Sequence, residues 1–321
     1  MATALGNDSY IGLGAEGTYG TAVARTLFEL QNSEGIKPTE NKVESRSLYR
    51  VARDIRRRAQ GRVDNGGNFS FDGRYSSRFF TTLLQHTFGA SSSSSSQPDV
   101  TTAPTAYRHT FTPQDTLPTG LSVEVSKDVL SHLHTGVKVA SLSMRMEQNE
   151  LLEVNATVIG RETTSIAQTP LTFTDGQLIV CNNVTWTWNG VSQNVIGGEF
   201  MIDNPITRRN FMNSRYTSEP LRNGKRRVSG SFRVDFSDAV IYSDFRNATE
   251  RVMVITLTGD TIAGAYAFEM LITMNVTELQ DAFPQADNEG PLVLPVNFDG
   301  FIDSGNTSEV TLRVTNENSA V

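Results

Sequence analysis

A basic segment leading into the same short strand pattern occurs twice in this chain, 163 residues apart. A duplication over half the length constrains the fold strongly, because it requires two copies of one structural unit. Residues 42–62 read KVESRSLYRVARDIRRRAQGR and run into Gly67-Asn68-Phe69-Ser70-Phe71-Asp72. Residues 208–227 read RRNFMNSRYTSEPLRNGKRR and run into Gly230-Ser231-Phe232-Arg233-Val234-Asp235. The two segments hold 15 of the 28 Lys and Arg residues and only three acids, Glu44, Asp54 and Glu219. They carry +12 against −19 on the remainder, so two basic arms are attached to an acidic body.

At 321 residues the chain has room for two related domains of ordinary size. Its 25 Gly and many Thr, Ser, Val and Asn residues point to strands and turns, and no run approaches the ~18 apolar residues of a membrane helix. The start, MATALGNDSYIG, lacks the charged and apolar regions of a secretory signal. A single cysteine, Cys181, excludes an intramolecular disulfide framework and fits assembly in a reducing cytoplasm. Sequons such as Asn155-Ala156-Thr157 then reflect β composition rather than glycosylation.

Residues 1–24 contain five Gly and no sustained period, which predicts an N-terminal arm outside the core. A strand is expected at 27–30, and Phe69 and Phe71 alternate with polar residues as in a half-buried strand. Phe79, Phe80, Leu83, Leu84 and Phe88 fall at helical spacings within 75–88, predicting a short amphipathic helix ended by Gly89. Its counterpart at 238–245 is weaker, with Val240, Ile241, Tyr242 and Phe245 apolar. The run Ser91 to Ser96 with Gln97-Pro98 predicts a mobile surface loop inserted in the first unit. Strands follow at 121–125, 136–146 and 151–159, matched by 252–257, 265–277 and 292–298. In the last set Tyr266, Phe268, Met270, Ile272, Met274 and Val276 share one face, the pattern of an antiparallel strand with one side covered. Asn189-Gly190 favours a two-residue hairpin turn after Trp186-Thr187-Trp188. Val310, Leu312 and Val314 predict an added strand outside either repeat, pairing within the chain or on a neighbour. The expected division is an arm at 1–24, a first unit at 25–162 and a connecting hairpin region at 163–196. A second unit at 197–303 and a C-terminal strand at 304–321 complete it. The fold class is mainly β: two tandem β-barrel or sandwich units, each with a short flanking helix and a long basic loop.

Gly12-Leu13-Gly14-Ala15-Glu16-Gly17 matches G-x-G-x-x-G, but a dinucleotide site needs a preceding central strand and a following helix. Tyr10-Ile11 is short for such a strand, and Thr18-Tyr19-Gly20-Thr21-Ala22 is a poor helix start. His132 and His134 are the only histidines close enough to share a strand face, and they read as a solvated strand edge rather than metal ligands. Cys181 reads as a small buried hydrophobe. No nucleophile, base and orienting group stand in a catalytic order, so neither an enzyme nor a cofactor is expected.

The stretch YIGLGAEGTYGTAV from Tyr10 to Val23, Glu44-Ser45-Arg46-Ser47-Leu48, Arg53-Asp54-Ile55-Arg56-Arg57-Arg58 and the strand from Gly61 to Asp72 together resemble the tail tube proteins of long-tailed bacteriophages. The resemblance covers most of the chain and rests on the order and duplication of these motifs. It implies two tail-tube-like units and a structural virion protein whose stacked rings form a conduit for double-stranded DNA. The doubled unit departs from single-unit family members and implies three chains per ring, a homotrimer imitating a hexamer. The implied partners are other copies of the chain, further tail proteins (tape measure, terminator, tip) and passing DNA, with no membrane. The implied location is the virion tail, after assembly in the host cytoplasm.

Three readings apply to the arms: solvated loops, phosphate-binding clamps, or contacts to acidic surface of another copy. The charge division favours the third, because Arg pairs bidentately with carboxylates across interfaces. The candidate inter-ring residues are Arg46, Arg50, Arg53, Arg56, Arg57, Arg58, Arg208, Arg209, Arg215, Arg222, Arg226 and Arg227. Asp72 and Asp235, at equivalent non-core positions, are the lumen-facing candidates, since cationic walls would hold back a passing duplex. Two alternatives stay open: a nucleic-acid-binding protein using both arms as phosphate clamps, and a tube protein of a contractile or secretion apparatus.

Overall fold

The computed structural model describes residues 9–45, 58–89, 92–171, 176–237, 239–284, 292–302, 305 and 308–321. Strands make up 59% and helices 6%, so the chain is mainly β, in large open sheets rather than a closed barrel. The first half contributes β1 (Ser9–Ala15), β2 (Leu27–Leu30), β3 (Ser33–Glu34), β4 (Lys37–Glu44), β5 (Arg58–Asp72), α1 (Arg78–Phe88), β6 (Ser93–Ser96), β7 (Tyr107–Phe111), β8 (Leu121–Lys127), β9 (Leu130–Glu147), β10 (Glu153–Gly160) and β11 (Glu162–Ile166). The second contributes β12 (Val184–Trp188), β13 (Val191–Gln193), β14 (Val195–Asp203), β15 (Ile206–Arg209), β16 (Ser218–Arg222), β17 (Arg227–Asp235), α2 (Val240–Arg246), β18 (Arg251–Ala263), β19 (Tyr266–Asp281), β20 (Val293–Phe301) and β21 (Thr311–Asn316).

The pairings of the first half recur in the second. β1 lies between β2 and β8 as β12 lies between β13 and β18. β5 pairs with β10 as β17 pairs with β20, and the run β8–β9–β10 is matched by β18–β19–β20. Even the irregularities match. The register slips between Thr157 and Val158 where β10 meets β9, and slips again between Leu279 and Asp281 where β19 meets β20. One bulge at the same rung of two strand pairs is a property of the repeated unit, since the side chains around it differ. β9 joins the halves directly: residues 141–147 pair with 197–203 of β14.

Several expectations need correction. Residues 9–15 form no outer arm: β1 is a central strand with Tyr10, Ile11 and Leu13 buried. Its glycines serve close packing, because a Cβ at Gly14 would lie 2.4 Å from the Ala24 carbonyl oxygen. The Ser-rich run is not a loop. Ser93–Ser96 is strand β6, paired with β7, and Ser95 Oγ bonds His109 Nδ1 at 2.8 Å. Backbone hydrogen bonding to a neighbouring edge needs no apolar side chain, which is why composition missed it; Ser91 lies outside the described residues. β21 is not external to the repeat either. It pairs with the first part of β19, as β11 pairs with the first part of β9, and β7 pairs with its other edge. The insertion in the first half therefore extends a sheet of the second.

Other expectations hold. α1 begins at Arg78, with the Ser77 side chain accepting from Phe80 N–H, and ends at Gly89; α2 runs from Val240 to Arg246. Asn189 and Gly190 have φ of 52° and 79°, the left-handed pair that a tight hairpin turn requires. In β19 the residues Phe268 to Val276 alternate buried and half-buried as their sequence dictates. One core runs through both halves. In the first, Phe71 packs edge-on against Phe79 with centroids 5.1 Å apart; in the second, Phe232 stacks on Phe298 at 5.6 Å. Trp188 Nε1 donates to Asp244 Oδ2 at 2.8 Å, tying β12 to α2. No helix among the described residues is long and apolar enough to cross a membrane.

Candidate functional site

Unbroken pairing carries one outer face across the strands β4–β5–β10–β9–β14–β17–β20–β19. Directly opposed residues of neighbouring strands share a face, so a rung is traced by following partners. One outward rung reads Asp72, Glu153, Arg145, Glu199, Ser231, Asn297, Asp281. Another reads Ser70, Asn155, Ser143, Met201, Ser229, Asp299, Glu278. The rung between them is Phe71, Val154, Met144, Phe200, Gly230, Phe298, Leu279, and it points into the core. Gly230 leaves room for the Phe298 ring, which a Cβ there would meet at 2.5 Å.

The outward rungs are polar and acidic. The two contain six carboxylates, one arginine and one apolar side chain, Met201. Flanking arginines are matched within the face: Arg233 pairs with Glu147, and Arg227 pairs bidentately with Asp299 at 2.9 and 3.0 Å. These exposed pairs contribute little to stability, but they cancel positive charge on the surface. Asp72 and Asp235 both lie on this face, Asp72 accepting from Asn32 Nδ2 at 2.6 Å. They are not level. The rung through Asp72 crosses β17 at Ser231, four residues before Asp235, so the sheet is sheared by four residues for every four strands.

The basic arms meet each other. The second is the hairpin β15–β16, and it is fastened to the base of the first. Val63 N–H donates to the Arg215 carbonyl at 2.9 Å, Arg215 donates to Gly61 O and Gln60 Oε1, and Arg208 donates to Asn65 O at 2.8 Å. Lys138 Nζ on β9 holds Glu219 on β16 at 2.6 Å. Arg222 and Arg226 donate to the Gln114 carbonyl, and Arg58 pairs with Glu44 at 2.9 Å. Arg209 lies over the Phe211 ring at 5.3 Å. Arg46, Arg50, Arg53, Arg56 and Arg57 lie outside the described residues. Most described candidates thus already bond within the chain, chiefly to backbone carbonyls, which leave no mark in a sequence. At the end of the second hairpin Phe211 is half-exposed and Met212 fully exposed.

A family model described as phage tail tube protein matches residues 6–300. The chain belongs to the phage tail tube family. No curated protein matches it. Membership implies a structural, non-enzymatic protein of the virion tail that assembles with itself and with other tail proteins.

Three of the four histidines of this tail tube protein, His86, His109 and His134, are buried. His134, expected on a solvated edge, is buried, with Nδ1 bonded to Asn65 Oδ1 and Thr163 Oγ1. On the expected edge stands β11, whose Thr163 lies opposite His134, so the strand is paired on both sides there. Burial, aided by the charges of His132 and Lys127, pushes its pKa down from 6.5 to about 4; burial and Lys138 do the same for His86. The unfolded chain therefore binds protons that the folded chain refuses between these values. The contribution of these two histidines to stability is full above pH 6.5 and is lost as pH falls toward 4, by about 3 kcal/mol for each. Urea unfolding at pH 7.5 and pH 5 measures the loss, and His134→Gln should make it smaller by about 2 kcal/mol.

Proposed function

We propose that the chain is the repeating subunit of a phage tail tube, in which three copies close a ring and rings stack into a conduit for double-stranded DNA. The observation that carries this reading is the acidic face, which passes without a break from one half of the chain to the other. Each half contributes four strands to it, so each acts as one of six similar units, and the face lines the channel. Three chains give 24 strands. A shear equal to the strand number corresponds to a tilt of about 36°, as in the eight-stranded barrel of shear eight. With strands ~4.8 Å apart, the backbone circle is then about 45 Å across, wide enough for a duplex and its water.

Chemistry supports passage without capture. Protein cations bound to phosphates hold DNA by releasing counterions, and this face offers mostly carboxylates. Asp72 and Asp235 belong to the lumen wall, and the arms reach the adjacent ring, presenting the tip at 210–217 and the arginines of 46–58. Ring closure removes the open sheet edges that a free chain carries. Assembly takes place in the host cytoplasm, and the tube ends meet tape measure, terminator and tip proteins.

Native mass spectrometry and negative-stain imaging of the purified chain test the reading. Rings of three chains with pseudo-sixfold outline are expected. Rings of six chains, placing twelve units around the channel, would overturn the trimer, and a chain that stays monomeric at all concentrations would overturn the tube.

A further inference from the structure

We infer that the two open edges of the sheet join successive copies of the chain in the register of the internal β9–β14 junction, with Asp281 of one copy opposite Thr39 of the next. The inference rests on the ring reading above and gives its joint a residue-level form.

The duplication supplies the template. Ser141 on β9 and Asp281 on β19 occupy the same rung, each beside the shared bulge. On the other side of the joint, Thr39 pairs with Asp64 on β5 as Asp203 pairs with Arg227 on β17, and Asp64 and Arg227 are again 163 residues apart. Inside the chain Ser141 faces Asp203 across the junction of the halves. Among the described residues β4 pairs only with β5, and β19 beyond Thr277 pairs only with β20. The two edges that correspond to the internal junction are therefore the two left unpaired, and joining them repeats that junction between copies.

The joint is weaker than its template. Pro38 takes the place of Ile202 and Pro284 the place of Met144, and each lacks an N–H. Both prolines blunt their edges against indiscriminate pairing in the free chain while keeping a carbonyl acceptor for the correct partner. Rings should accordingly dissociate before the chain unfolds.

Cysteine cross-linking tests the register. Asn204 N–H donates to Ala140 O, so the adjacent pair Ser141 and Asp203 is of the non-hydrogen-bonded type, with Cα atoms about 4.5 Å apart, within disulfide reach. Thr39→Cys combined with Asp281→Cys should convert most assembled chains to covalent trimers on mild oxidation. Lys37→Cys with Asp281→Cys, slipped by two residues, should not. Cys181 does not compete, being buried with its thiol pushed up to about 11. Unaltered protein gives a second readout: the Glu40 amide, which corresponds to Asn204, should exchange at least tenfold more slowly in rings than in free chains. Rings that form without the cross-link and without Glu40 protection would overturn this joint and leave the tube reading standing. Absence of rings in the unaltered protein would overturn both.

Discussion

Replacing Phe211 and Met212 together with Asp leaves the chain folded and rings intact but stops rings from stacking. Both side chains sit at the end of a hairpin whose other features are fixed: Arg215, Arg208 and Tyr216 fasten it to the residues around Val63. A tip held in one direction loses little freedom on docking, so its apolar area is available to an interface. Burying two such side chains contributes about 3 kcal/mol or more, and its removal raises the concentration needed for polymer about a hundredfold. In the free chain the same residues are exposed, so circular dichroism and urea unfolding should not change. Sedimentation reports the polymer. Tubes growing at the unaltered concentration would remove the hairpin tip from the ring-to-ring contact.

That tip was legible only as part of a basic arm, and the reason is general to this fold. Local signals survived translation into structure: the alternation in β19, the Asn189-Gly190 turn, the α1 stripe ended by Gly89 and the 163-residue duplication all have causes within a few residues of themselves or in direct comparison of two segments. What failed depends on partners far away in the chain. β1 looked like an arm because its glycines make room for Phe28 and the backbone at Ala24, and a glycine's neighbours across a sheet cannot be read from its own segment. Ser93–Ser96 became a strand because the β7 edge was there to bond it. β21 looked external because its counterpart, β11, follows β10 after a single residue, whereas β21 follows β20 after a longer connection. The arms were read as free charge, yet Arg208, Arg215, Arg222 and Arg226 donate to carbonyls of residues whose side chains carry no charge to attract attention. The acidic face itself was visible at two positions, Asp72 and Asp235. Its continuity across the halves was not, because the β9–β14 pairing that creates it joins strands that no repeat comparison places side by side.

Asp72→Lys combined with Asp235→Lys should turn a channel that releases DNA into one that retains it. Neither aspartate is part of the core, and Asp72 lies opposite Glu153, which would face the new lysine favourably. The fold and the ring should therefore survive. In a ring of three chains the pair introduces six cations and removes six anions from the lumen wall. Tubes of the unaltered protein are expected to bind duplex DNA weakly at physiological salt. Tubes of the double variant should bind it with a logarithmic affinity that falls against logarithmic salt by roughly 0.9 for each phosphate engaged, up to about 5 for six contacts. Filter binding across a salt series measures the slope, and preformed tubes are the sample that decides, because free subunits expose basic arms that contact DNA from outside. Equal, salt-steep binding by unaltered tubes would promote the phosphate-clamp reading of the arms. Weak binding by both kinds of tube would show that Asp72 and Asp235 face away from the channel, and the acidic face would then lie on the outside of the ring.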